Sequence, residues 1–139
     1  FAGPLDGNGR RSIYLKMSIM DPPKFLVGFN LPDLKLPSGK RDETNVPTQA
    51  LVLLNDPLVK ELSRQWASAE LTRQADDTTR LRSMFLKGFG RPPTSDEAER
   101  WLTAFAPGET KEGRFSTALD RWTEIAHTIF NTKEFIYYR

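Results

Sequence analysis

Arg41, Thr44, Asn45, Gln49 and Asn55 bracket the apolar run Ala50 to Leu54. Side chains of these types can line a ligand site. They can equally bond the backbone of the preceding segment, whose prolines leave many peptide groups to satisfy. The second reading is the stronger. It predicts that Gln49 and Asn55 bond backbone within 31–46 and pin that stretch to the helices, because an unpaired amide beside Ala50, Leu51, Leu53 and Leu54 would cost about 1–3 kcal/mol.

Other residues could do chemistry and are read against a plainer alternative. Gly88-Phe89-Gly90-Arg91 could cradle a phosphate before a helix N-terminus. Such a nest needs free amides, and Pro92 and Pro93 have none, while Glu97 would repel an anion. Glycine at Gly88 and Gly90 suits the end of one helix. Thr94-Ser95-Asp96-Glu97 reads as the capping box of the next, and Asp96 precedes Arg100 by the four residues of a helical ion pair. The segment is a corner between helices.

A serine-type triad or a histidine metal site would have to use His127, the single histidine. It lies beside Ala126 on a helical stripe and reads as structural. Asp120 and Glu124 sit four apart, but paired carboxylates do acid–base work only in a cleft, and a solvated helix face is the better reading. Asp6-Gly7-Asn8-Gly9 begins like a calcium loop, yet Arg10 stands where an oxygen ligand is needed and no glutamate closes it. The three tryptophans fall in phase with apolar stripes and read as core rather than as a sugar platform. The chain therefore names no catalytic residue, no metal ligand set and no cofactor, and a non-enzymatic reading is favoured.

The 139 residues suffice for one domain with a real core. Net charge is only +2. Basic residues cluster as dipeptides, Arg10-Arg11 and Lys40-Arg41, not as the stripe usual in nucleic-acid binders, so nucleic acid is not expected as a partner. No apolar run reaches the roughly 20 residues of a transmembrane helix. Zero cysteines excludes disulfides, Cys-ligated metal and covalent c-type haem within the chain.

Ile13, Leu15, Met17 and Ile19 alternate, which predicts a strand over Ser12 to Ile19. No second strand is evident, so the partner is expected in the remainder of a parent chain, in a homo-oligomer, or in the irregular segment that follows. Prolines at 22, 23, 32, 37 and 47 punctuate 21–47: Lys24 to Phe29 makes at most a turn or two of helix, and Leu31 to Asn45 is an irregular linker. Helices are predicted from Pro47 through Leu54, from Pro57 with Leu58, Leu62, Trp66 and Ala69 on one side, over Thr78 to Lys87, and around Ala98, Trp101, Leu102 and Phe105. The clearest stripe is Phe115, Ala118, Leu119, Trp122, Ile125, Ala126, Ile129 and Phe130. Lys133 to Tyr138 makes a short last turn. The expected fold is mainly α: five or six helices with one N-terminal strand and an irregular proline-rich arm. It is a single domain over 1–139, or the C-terminal part of one, with strand and arm in 1–46 and the helical part in 47–139.

The segments "DGNGRRSIYLK", "GKRDETNVPTQALVLLNDPLV", "GFGRPPTSDEAERWL" and "IFNTKEFIYYR", in that order, resemble a planctomycete-type C-terminal domain of unknown function. That domain accompanies a planctomycete cytochrome-c-like domain in large secreted proteins. The likeness covers nearly the whole chain and is most specific from Gly39 to Pro57. The chain departs from the family pattern at Ser18, where a basic residue is usual nearby, at Asn30, where an aspartate is, and at Asp42-Glu43. The resemblance implies an extracytoplasmic location, periplasmic or secreted, and a larger parent chain, and it supplies no catalytic residues. The favoured expectation is a non-catalytic structural or interaction module. The alternatives are a polysaccharide-binding or polysaccharide-processing domain using Arg41, Gln49 and Asn55, and a docking domain for the neighbouring cytochrome-c-like domain.

Overall fold

A computed structural model of the chain describes residues 12–14, 17–33, 35, 36, 39, 47–106 and 115–137. Among these residues the protein is mainly helical, with seven α-helices: α1 (Lys24–Gly28), α2 (Pro47–Asn55), α3 (Pro57–Leu71), α4 (Asp77–Phe89), α5 (Ser95–Ala104), α6 (Ala118–Phe130) and α7 (Lys133–Ile136). The chain divides into two compact units, Phe1–Leu58 and Val59–Arg139.

The expected N-terminal strand is not there. Ser12–Tyr14 is a short 3-10 turn and Met17 to Asp21 is irregular, and no strand occurs among the described residues. Leu15 and Lys16 lie outside them. The alternation of Ile13, Leu15, Met17 and Ile19 satisfied the local pattern but not the physical requirement behind it. A strand needs a ladder partner for its peptide groups and a buried face for its apolar side chains. Ile13 is 79% exposed and Ile19 55% exposed, so no such face is buried.

In the first unit α1 packs on α2 at Gly28, where a Cβ would lie 2.9 Å from Val52 Cγ2. Phe25 and Phe29, one turn apart, bring their rings to 5.1 Å. Asn30 follows at φ 57°, a left-handed conformation that asparagine tolerates. α2 opens with Pro47 at its first position, as expected. Asp56 separates α2 from α3, its Oδ1 accepting from the Leu58 amide at 2.8 Å.

The second unit contains the core. Ala67 of α3, Leu81, Met84 and Phe85 of α4, and Trp122, Ile125, Ala126 and Ile129 of α6 are buried together. Each large side chain there contributes about 1.5–3 kcal/mol by leaving water. Trp66, Trp101 and Phe105 pack against this cluster, so the tryptophans fill the core as their phase implied. Phe89, Phe85, Trp101 and Phe105 form a run of ring contacts at 5.0, 5.2 and 5.9 Å that joins α4 to α5. The inward face of α3 is Val59, Ser63, Ala67 and Glu70, small or polar residues, and the Ser63 hydroxyl bonds the Val59 carbonyl at 2.7 Å. α6 starts at Thr117, whose Oγ1 accepts from the Asp120 amide at 3.1 Å. No described helix is long and apolar enough to cross a membrane.

Candidate functional site

The corner after α4 is where most polar chemistry gathers. Gly90 ends the helix at φ 72°, and its amide bonds the Leu86 carbonyl at 3.1 Å. That conformation favours glycine. Gly88, expected to share this capping role, is instead inside α4. A Cβ on it would lie 2.7 Å from Ile129 Cγ2 and 3.4 Å from Trp66 Cη2, so its missing side chain lets α4 approach its neighbours.

Four residues beyond Gly90, α5 begins with the predicted capping box. Thr94 Oγ1 accepts from the Glu97 amide at 3.2 Å, and Glu97 Oε2 accepts from the Thr94 amide at 2.8 Å. Arg100 does not pair with the Asp96 carboxylate as expected; its Nε donates to the Asp96 carbonyl at 3.1 Å.

Arg91 lies at the centre of the corner. Its Nη1 and Nη2 donate to Glu97 Oε2 and Oε1, both at 2.8 Å. Its Nε and Nη2 donate to Glu134 Oε1 and Oε2 at 2.6 and 2.9 Å, and Nη1 also reaches the Pro92 carbonyl at 3.3 Å. Every N–H of the guanidinium therefore has an acceptor within the chain. Its plane sits 5.9 Å from the Phe85 ring and 6.0 Å from the Phe89 ring. The Arg91 bond, with the Thr94 amide, pulls the Glu97 carboxyl down to about 2. A cleft of about 490 Å³ opens beside the corner, lined by Arg91, Lys133, Glu134 and Tyr137. The guanidinium that an anion would need is already held by two carboxylates. The corner is thus an ion-paired joint among α4, α5 and α7, in agreement with its reading as a corner between helices.

Two further polar joints hold the second unit. Asp77, at the start of α4, receives Arg80 Nη1 at 3.1 Å and Arg121 Nη1 at 2.5 Å. Arg80 also donates to the Glu70 and Ala75 carbonyls at 3.3 and 2.8 Å, tying down the turn between α3 and α4. Arg121 Nε reaches the Phe105 carbonyl at 2.6 Å, which fastens the end of α5 to α6. The two guanidiniums flank Trp122 at 5.1 and 5.4 Å. Glu70 is 1% exposed and ion-paired with Lys87, with Arg73 at 3.9 Å. Burial pushes its carboxyl up. The Lys87 and Ser83 hydrogen bonds and the charges of Lys87 and Arg73 outweigh that and hold it below the usual range.

The residues singled out from sequence are not brought together by what is described. Gln49 is half-buried on α2, and Asn55 is exposed at its end. Six residues apart on one helix, they point about 120° apart around its axis. Asn55 Nδ2 donates to the Leu51 carbonyl at 3.0 Å, within α2 itself. Arg41, Thr44 and Asn45 lie outside the described residues, as does the segment Asp6 to Gly9. His127 is half-buried on α6, and its carbonyl accepts from Asn131 Nδ2 at 2.8 Å. Asp120 and Glu124 are exposed. Among the described residues no group of three or more histidines and carboxylates could hold a metal ion. Sequence reasoning missed the Arg91, Asp77 and Glu70 joints. Only the Glu97 half of the Arg91 joint carried a local signal, a glutamate already placed by the capping box.

No curated protein and no solved structure matches the chain. A family model does, that of PSD1, described as "Protein of unknown function (DUF1553)", over residues 4–105. The match spans well over half of the sequence, and the chain belongs to this PSD1 (DUF1553) family of unknown function.

Proposed function

We propose that the chain is a non-catalytic structural or interaction module of a secreted multidomain protein, and that its first unit supplies the contact surface. One observation carries this reading. Among the described residues from Ser12 to Asn55 none is buried, while Ile13, Ile19, Met20, Leu36, Leu51 and Leu54 are exposed. Exposed apolar side chains with no buried residue beside them among the described residues of the same unit are the surface a partner would cover. In the second unit the arginines at the centre of the polar joints bond carboxylates and carbonyls of the same chain. The partner is the remainder of a parent chain or a second copy of this one. The resemblance to the planctomycete-type domain supports a location outside the cytoplasm and a cytochrome-c-like neighbour in the same protein. Light scattering over a concentration series tests it, with the chain alone and mixed with the rest of its parent chain. Association that Leu51→Glu/Leu54→Glu abolishes is the expected result. A chain that stays monomeric and ignores the rest of its parent overturns the reading. Saturable oligosaccharide binding that Gln49→Ala removes would put the polysaccharide reading in its place.

A further inference from the structure

α6 and α7 are separated by two residues, Asn131 and Thr132. Asn131 is at φ −96°, ψ 1°, in the bridge region outside the helical one. Thr132 is at φ −80°, ψ 148°. The Thr132 φ already suits a helix, so a large rotation about Thr132 ψ, with a smaller adjustment of Asn131 φ and ψ, would run α6 into α7 as one continuous helix. Neither glycine nor proline stands between Phe130 and Ile136 to forbid that.

Several contacts oppose it. The Arg91 fork holds the Glu134 carboxylate, the Phe135 ring meets Phe130 edge-on at 5.0 Å, and the Thr132 hydroxyl bonds the Ile129 carbonyl at 2.8 Å. α7 itself is four residues long, and every one of them is exposed. It nevertheless supplies Lys133 and Glu134 to the cleft at the corner, and Tyr137 follows directly, so three of the four lining residues move with it.

We propose that α7 is a flap hinged at Thr132 and latched by the Arg91–Glu134 fork, and that its opening straightens α6 into α7 and dismantles the cleft. The latch is a partly exposed ion pair, 38% and 45% exposed at its two side chains. Removing a pair of that kind shifts a two-state balance about fivefold. Salt screens it, so the open fraction rises with ionic strength.

The chain has no cysteine, so two introduced cysteines are the only labelling sites. Spin labels at Leu86→Cys on α4 and Ile136→Cys on α7 report the distance across the joint in the whole chain. Glu134→Gln should raise the longer-distance population about fivefold. Thr132→Ala, which removes the hydroxyl bond and favours helix, should move it the same way. Lys133→Pro distinguishes a hinge from simple fraying. Proline suits the first position of α7, and the residue before it is already extended, as proline prefers. In a continuous helix the same ring would clash with the Ile129 carbonyl. Adding Lys133→Pro to Glu134→Gln should therefore remove the long distance. A distribution that Glu134→Gln leaves unchanged overturns the latch. A long distance that survives Lys133→Pro overturns the hinge.

Discussion

Gly88→Ala should destabilise the protein although alanine is the better helix former. Gly88 is inside α4, and glycine there costs about 1 kcal/mol relative to alanine in helix propensity. Against that gain stands a steric conflict. The new methyl would sit 2.7 Å from Ile129 Cγ2, where carbon atoms normally rest about 3.5–4.0 Å apart. Ile129 is fully buried and β-branched, so it cannot swing aside. The helices must separate by about 1 Å, and overpacking of this kind costs about 1–3 kcal/mol. The upper part of that range applies because the neighbour is rigid, leaving a net loss of about 1–2 kcal/mol. For a unit of this size that lowers Tm by roughly 4–16 °C. Urea unfolding followed by circular dichroism measures it, and a double-mutant cycle with Ile129→Ala isolates the cause. Ile129→Ala removes the opposing methyl and leaves Trp66 Cη2 at 3.4 Å as the nearest obstacle. In that background Gly88→Ala should become stabilising by about the propensity difference. The same sign in both backgrounds would refute the reasoning, as would a wild type that gains stability from Gly88→Ala.

Acid should act through Glu97. Its carboxyl lies at about 2 in the folded chain against an ordinary 4.5. A depressed pKa gives stability that is whole above the unfolded value and is lost as pH falls through the folded one. The stability gap between wild type and Glu97→Gln should therefore shrink from about pH 4.5 to about pH 2, and a gap constant over that window would count against the Arg91 pairing. Lys87→Met leaves Glu70 buried without its ammonium. The expected loss at neutral pH is about 2–3 kcal/mol, reduced from the fully buried case because Lys87 itself is 45% exposed. Burial then raises the Glu70 carboxyl, so this variant alone should recover part of the loss as pH drops and Glu70 takes up a proton. Denaturant midpoints that fall with acid as steeply as those of wild type would contradict that.

What sequence made visible here is what local periodicity encodes. The α6 stripe, the phases of Trp66, Trp101 and Trp122, and the Thr94–Glu97 box all rest on spacings of three or four residues. The structure keeps them except on α3, where the buried face is Val59, Ser63, Ala67 and Glu70, one residue round from the predicted Leu58, Leu62, Trp66 and Ala69, and Leu62 and Ala69 are exposed. Ser12 to Ile19 shows the converse. Alternation announced a strand, but a strand exists only with a second segment to bond, and no pattern inside eight residues reports one. Gly88 and Gly90 look alike in sequence. Only Gly90 has the positive φ, and Gly88 matters because Ile129 comes to it from 41 positions later. Arg91 shows the same limit in electrostatics. Glu97 is six residues away and legible, whereas Glu134 is 43 away and depends on where α7 docks. Of the polar set first singled out, Asn55 bonds its own helix, which a carboxamide four residues beyond a carbonyl can do without any arm to pin.

The boundaries of the family match acquire a physical meaning from this packing. The match ends at Phe105, the residue that closes α5. Four of the eight residues in the buried cluster, Trp122, Ile125, Ala126 and Ile129, come from α6 beyond that point. Arg121, which fastens the Phe105 carbonyl and Asp77, lies beyond it too. A segment cut at 105 would uncover Leu81, Met84 and Phe85 and leave Asp77 with Arg80 alone. At the other end the match runs through α2 and across Leu58, where the chain divides into its two units. The stretch that defines the family is therefore not a folding unit. It joins the first unit, which leaves apolar side chains exposed, to part of a second unit that completes its core only with α6.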